Sequence, residues 1–202
     1  LPVEKFIEKP KSLMSNYFSA LSYSNEVYAL EALNFKEFES CVFTACDFSK
    51  CNFIALSFID CTFNNCIFNE TKINHVAFRT AYFNGCKIKD VNFAMCDKFI
   101  FEIHFKDCTL DFSKFYALKM KRTSFTNCSL VAVDFMNADL SEVVFDSCDL
   151  YKSEFEKAIL TKTDFKTSYN YSIDPTKSKL KKTLFSLENV KGLLFKHDII
   201  VY

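Results

Sequence analysis

The sequence predicts an all-β fold: a four-sided coil of short parallel strands stacked along one axis. Three observations carry this reading. Large apolar residues recur at every fifth position, a column of smaller residues runs two places ahead of them, and residue types repeat every twenty positions.

The first column is unbroken from Phe38 through Phe43, Phe48, Phe53, Phe58, Phe63, Phe68, Ile73, Phe78, Phe83 and Ile88 to Phe93. The register then slips by two residues around Asp97-Lys98-Phe99 and resumes at Ile100. From there it runs through Phe105, Leu110, Phe115, Met120, Phe125, Leu130, Phe135, Leu140, Phe145, Leu150, Phe155 and Leu160 to Phe165. The second column holds Cys41, Cys46, Cys51, Leu56, Cys61 and Cys66, and later Cys108, Cys128, Val133, Ala138, Val143 and Cys148. All ten cysteines lie in it, and the residue between the columns is usually polar.

A strict period of five excludes one straight element. A strand puts residues i and i+5 on opposite faces, and a helix rotates them apart. The chain must turn once per pentad, so that both columns point inward and the short sides stack as parallel ladders. The number of sides follows from stacking like over like. After residue 100 the central residue alternates between Phe and Leu or Met, which excludes three sides. Cys108, Cys128 and Cys148 recur every twenty residues, with Leu118, Ala138 and Ala158 between them, which selects four. At about 4.8 Å per rung, about six and a half coils make a rod roughly 30 Å long.

This Cys/Ala-(Asp/Asn)-(Phe/Leu)-x-x pattern, carried over residues 36–167, resembles the pentapeptide-repeat protein family. The resemblance implies a right-handed quadrilateral parallel β-helix. It also points to Qnr-like quinolone-resistance proteins, dimeric rods that imitate DNA on type II topoisomerases such as DNA gyrase.

The chain divides into three segments. Residues 1–34 read as an irregular N-terminal cap with a short helix near Glu26–Leu33, because Glu26 and Glu31 fall in the inner column, where an unpaired carboxylate is costly. Residues 35–185 form the solenoid, with the slip at 97–99. Residues 186–202 read as a helix over Leu187–Lys196, N-capped by Ser186, followed by a short strand over Ile199–Tyr202. A cap needs one apolar face. The surplus at Leu193, Phe195, Ile199, Ile200 and Val201 therefore predicts a homodimer joined end to end through the C-terminus.

Composition narrows the function. Glycine (2), proline (3) and tryptophan (0) are scarce beside 25 phenylalanines, which fits a loop-rich enzyme poorly. Lys+Arg and Asp+Glu are 25 each, so no net charge steers the chain toward nucleic acid or an anionic membrane. No direct nucleic-acid or membrane partner is expected. The opening LPVEKFIEKPKSLM has no basic segment followed by an apolar one, and the chain reads as soluble and cytoplasmic.

No nucleophile, base and orienting group come together, no glycine-rich phosphate loop is present, and His75, His104 and His197 are scattered. The cysteine column accepts Ala, Val, Ser, Thr and Leu elsewhere, so the thiols read as small apolar core residues. Neither a metal nor another cofactor is expected.

Residues 134–156 hold Asp134, Asp139, Glu142, Asp146, Asp149, Glu154 and Glu156 against Lys152 alone. Folding into twenty-residue coils sets Glu142 between Arg122 and Lys162, Asp146 under Lys166, Asp134 over Lys114, and Asp139 over Lys119. The acids are therefore expected to pair across the ladder. Asp134, Asp149, Glu154 and Glu156 remain as a smaller acidic spot, the candidate interaction surface. The expected function is a non-catalytic binding solenoid. Its most specific form is Qnr-like contact with a type II topoisomerase by DNA mimicry, and the alternative is a structural or adaptor rod for another protein.

Overall fold

The computed structural model describes residues 16–197 and 199. Within them the chain winds as a four-sided parallel coil in which every strand is only three or four residues long. On the first side, Tyr17–Ser19, Glu37–Glu39, Ser57–Ile59 and Ala77–Arg79 stack in register, each twenty residues after the last. On the second side, seven strands from Ser22–Ser24 to Val144–Asp146 form one continuous parallel sheet. The third and fourth sides are ladders of single bridges, such as Thr109 to Ser129 and Lys114 to Asp134.

The core is two interlocked sets of rings. On the second side nine aromatic residues stack face to face, from Tyr23 through Phe43, Phe63, Phe83, Phe105, Phe125, Phe145 and Phe165 to Phe185. On the opposite, fourth side Phe93, Phe115, Phe135 and Phe155 do the same. Across the interior the two stacks meet edge to face, as between Phe125 and Phe135 (6.0 Å, 82°). This is the arrangement the ring quadrupoles favour. Leu110, Leu130 and Leu150 fill the third side, and Met120, Leu140 and Leu160 the first, all fully buried. The expected alternation of Phe and Leu is therefore an alternation of sides.

The inner column does more than fit. At most positions where it carries an S–H or O–H group, that group donates to the carbonyl of a central residue on the preceding coil. Cys66 Sγ reaches Phe43 O (3.4 Å), Thr71 Oγ1 reaches Phe48 O (2.7 Å) and Ser113 Oγ reaches Ile88 O (2.7 Å). Cys, Ser and Thr interchange there because each is small and donates one hydrogen bond.

Nearly every corner has a left-handed residue two places after the central one. Positions such as Ala45, Lys50, Asn127, Ala132 and Lys162 have φ between 52° and 59°. Glycine fills this role only at Gly85 (φ 64°), where an added Cβ would lie 2.3 Å from Asn65 Oδ1.

Four expectations are corrected. Residues 17–24 are not part of an irregular cap. They form the first coil of the described residues, and Glu26 and Glu31 are exposed in it. No helix forms near Glu26–Leu33, where residues 30–35 make turns.

The register slip also sits elsewhere. Asp97 N still bonds Val76 O in the original phase, which puts Lys98 at a central position. An unpaired ammonium is too costly to bury, so Lys98 turns outward and Phe101 packs partly against the core instead. Register resumes at Ile103, which pairs with Ala81, and not at Ile100, which is 58% exposed.

Finally, the expected helix over Leu187–Lys196 is two 3-10 turns, Val190–Leu193 and Phe195–His197. Gly192 lies buried against the Tyr171 ring, and its carbonyl accepts from Ile173 N (3.0 Å), which ties this tail to the last coil. Ser186 Oγ accepts from Asn189 N (3.2 Å) in the preceding turn, and Asn189 stands at the N-cap of Val190–Leu193. The strand expected over Ile199–Tyr202 lies outside the described residues, apart from Ile199.

Ile100 combines a β-branched side chain, exposure and φ 54°. Ile100→Gly removes that strain and loses little contact, so it should stabilise the fold by about 0.5–1 kcal/mol, read as a melting temperature higher by a few degrees.

Candidate interaction surface

Within each pentad the residues flanking the central one point outward, so every side presents two outward columns. Between an inner small residue and a buried aromatic, the outward Asp or Asn has a local task. Asp134 Oδ1 accepts from Met136 N (2.8 Å), Asp139 Oδ1 from Ser141 N (3.0 Å) and Asp164 Oδ1 from Lys166 N (2.9 Å). Each of these carboxylates gives one oxygen to the turn that follows it, the side-chain version of a backbone turn.

The four candidate residues fall on two adjoining sides. Asp134 and Glu154 are neighbouring rungs of the fourth side, Glu156 is on the same side, and Asp149 lies on the third between Ser129 and Tyr169. They do not form a bare acidic patch. Lys196 from the C-terminal turn bonds Glu154 (2.9 Å), and Asp149 accepts from Tyr151 N (3.1 Å) and Asn170 Nδ2 (2.9 Å).

The charge-based reading overlooked the apolar residues among them. Phe112 at the corner between the third and fourth sides, Tyr116 on the fourth, and Tyr151 and Tyr169 on the third are 43–55% exposed. The Lys152 ammonium lies 5.2 Å from the Tyr151 ring centre. A shallow hollow beside them is lined by Tyr151, Glu154, Asn170 and Phe195. Sorting the outward columns by side would have revealed that these rings share two adjoining sides, although they are far apart in sequence.

The expected charge ladder is present in part. Glu142 is held by Arg122 (3.3 Å), Lys162 (3.4 Å) and Lys121 (3.9 Å). The Arg122 hydrogen bond and the two lysines keep its carboxyl below its ordinary value of 4.5. Lys166, however, pairs with Asp164 (3.1 Å) on its own rung, and Asp146 instead accepts from Thr167 Oγ1 (2.8 Å). Lys114 and Lys119 are rung neighbours of Asp134 and Asp139 but form no ion pair with them.

Of the residues proposed for pairing two chains, Leu193 packs against its own core, while Phe195 and Ile199 are about half exposed. Ile200 and Val201 lie outside the described residues. Leu187 at 93% exposure, with Leu184 and Val190 near it, is the more conspicuous apolar surface at this end.

All ten thiols are free and buried. Six of them, Cys46, Cys66, Cys86, Cys108, Cys128 and Cys148, stack on the third side. Burial raises Cys51 to about 11 and Cys61 to about 12. Bonds to neighbouring thiols, and then burial, hold Cys86 and Cys128 up as well. Among the described residues no group of three His, Cys, Asp or Glu side chains is placed to hold a metal ion. His75 stands at a left-handed corner, His104 Nδ1 lies 3.0 Å from Ser124 Oγ, and His197 lies 3.3 Å from Asp174.

Two family descriptions match the chain: pentapeptide repeats (8 copies) over residues 46–85, and a pentapeptide repeat region over residues 98–174. Together they span more than half of it. No curated protein matches. Among solved structures the chain is similar to a trypsin-treated form of QnrB1, a plasmid-mediated fluoroquinolone resistance protein. The identity is 16% over 92% of this chain and 100% of that one, with a TM-score of 0.48. It is also similar to HetL, a pentapeptide repeat protein involved in heterocyst differentiation regulation from the cyanobacterium Nostoc sp. strain PCC 7120. There the identity is 13% over 84% of this chain and 87% of that one, with a TM-score of 0.47.

Two outcomes are expected from these sites. Glu142 has a depressed carboxyl, so its contribution to stability is present above about pH 4.5 and is lost as pH falls through its lower folded value. Glu142→Gln should therefore melt below the unaltered protein at pH 7, and the difference should shrink as pH falls below 4.5. The thiols should react with a disulfide reagent at pH 8 at least about a hundredfold faster after unfolding than in the native protein, with ten groups titrated.

Proposed function

The chain belongs to the pentapeptide-repeat family, and from that premise we propose that it is a non-catalytic, protein-binding rod of the cytoplasm. Its contact surface is the aromatic and acidic corner between the third and fourth sides. The observation that carries this reading is the placement of Phe112, Tyr116, Tyr151 and Tyr169 on a backbone bonded rung to rung. Exposed rings of this kind are enriched at protein interfaces. They are also held in place before any partner arrives, which lowers the entropy lost on binding.

The finer reading is Qnr-like contact with a type II topoisomerase, in which Asp134, Asp149, Glu154 and Glu156 would face its cationic DNA-binding surface. The acids on one edge favour it, and their turn bonds and the Lys196 ion pair limit how far they resemble a continuous phosphate backbone. We also propose that the rod pairs with a second copy through its C-terminal end, where Leu187, Phe195 and Ile199 are exposed.

Purified protein added to bacterial DNA gyrase at micromolar concentration should change the rate of supercoiling or relieve its inhibition by a quinolone. Asp134→Asn, Glu154→Gln and Glu156→Gln together should weaken that effect about tenfold, because Asn keeps the turn bond and removes the charge. No effect of the unaltered protein removes the topoisomerase reading. The broader rod reading then rests on a captured partner that Tyr116→Ala with Tyr151→Ala releases, and it fails if that double variant binds as well as the original. Light scattering decides the pairing: Leu187→Asp with Phe195→Asp should convert a dimer to a monomer, and a monomeric unaltered protein sinks the idea.

A further inference from the structure

Folding sorts charges that the sequence intermixes. At the C-terminal end of the first side the outward columns carry Lys179, one rung beyond Ile159, and Lys181, whose carbonyl accepts from Lys162 N. Lys162 and Lys182 occupy the left-handed corner toward the second side. Lys157 and Lys177 form the corner toward the fourth side, joined by a bond from Lys157 N to Lys177 O. These six lysines lie on two successive rungs, and all are exposed.

Lys162 shares Glu142 with Arg122, and the charge of Lys177 acts on Asp174. Lys157, Lys179, Lys181 and Lys182 have no carboxylate within ion-pair distance among the described residues. A net charge of zero thus conceals one strongly cationic end of the first side, which meets the fourth side at the Lys157 and Lys177 corner beside Glu156.

We propose that this end of the first side binds the phosphate backbone of duplex nucleic acid, contrary to the expectation from net charge. The six are all lysines, hydrated point charges suited to phosphate contact without base readout. Protein interfaces are depleted in lysine and enriched in aromatic rings, and among the described residues this end of the side has no exposed ring. A single strand would need a stacking platform, which is missing for the same reason.

A bilayer contact would call for apolar side chains in the same plane as the cations. Ile159, on the rung beside Lys179, is partly buried, and Leu184 faces outward from the second side as a rung neighbour of Asp164. A regular, rigid polyanion read through its charge is the occupant that fits. The proposal uses a different surface from the protein-binding corner and stands independently of it.

The test is fluorescence anisotropy of a short labelled duplex of mixed sequence titrated with the full chain. Binding at about 50 mM salt should be micromolar and indifferent to sequence. It should weaken with added salt with a logarithmic slope of about −3 to −5, as four or five phosphate contacts imply. Lys157→Gln, Lys179→Gln, Lys181→Gln and Lys182→Gln together should weaken it at least tenfold, whereas Lys72→Gln, Lys87→Gln, Lys89→Gln and Lys106→Gln on other sides should change it less than twofold. Lys179→Gln with Lys181→Gln, away from the corners, should weaken it measurably without disturbing any turn. Absence of duplex binding at low salt, equal losses in the two quadruple variants, or tighter retention on phosphatidylserine vesicles than on duplex would each overturn the proposal.

Discussion

The fold depends on one constraint: the chain must turn a corner every five residues, and it does so with a left-handed residue that is almost never glycine. Each such residue costs roughly 1–2 kcal/mol, while burying the neighbouring Phe or Leu contributes roughly 1.5–3 kcal/mol. Corner and core therefore have to repeat together. A pentad without a large central residue has nothing to offset its own turn, and the chain loses its regular path where Lys98 stands at a central position.

The regular part of this design was legible because it is periodic. The spacing of Phe125, Phe145 and Phe165, with Leu or Met between them, encodes four sides once like is required to lie over like, and the ring stacks follow. The irregular parts were hidden by the same rule applied too literally. Ile100 is large and apolar, so pattern reading placed it in the core. The backbone phase instead assigns that position to Lys98, which cannot occupy it. Glu26 and Glu31 argued against a first coil because an inner carboxylate is costly, but that argument assumes burial, and both are exposed.

The surface was less legible, since outward residues do not have to follow a period. Rung neighbours can be read from the sequence; rotamers cannot. Glu142 found the bases expected of it, whereas Lys166 took Asp164 on its own rung over Asp146 on the rung below. The carboxylates also serve the turns, so acidic character read from composition overstates the negative charge available to a partner. Conversely, Lys157 and Lys179 are twenty-two residues apart and share one end of one side, a grouping that a linear reading averages away.

The displaced segment around Lys98 and Phe101 bears on how the rod carries load. The strands of the first side end at Ala77–Arg79, while the second side crosses the same level without a break through the pairing of Ala81–Asn84 with Ile103–Lys106. The rod is therefore stiff on one edge and notched on another. A bending force would open it toward the notch, and two elastic segments, an aromatic one below and a mixed one above, would meet at a preferred direction of flexure.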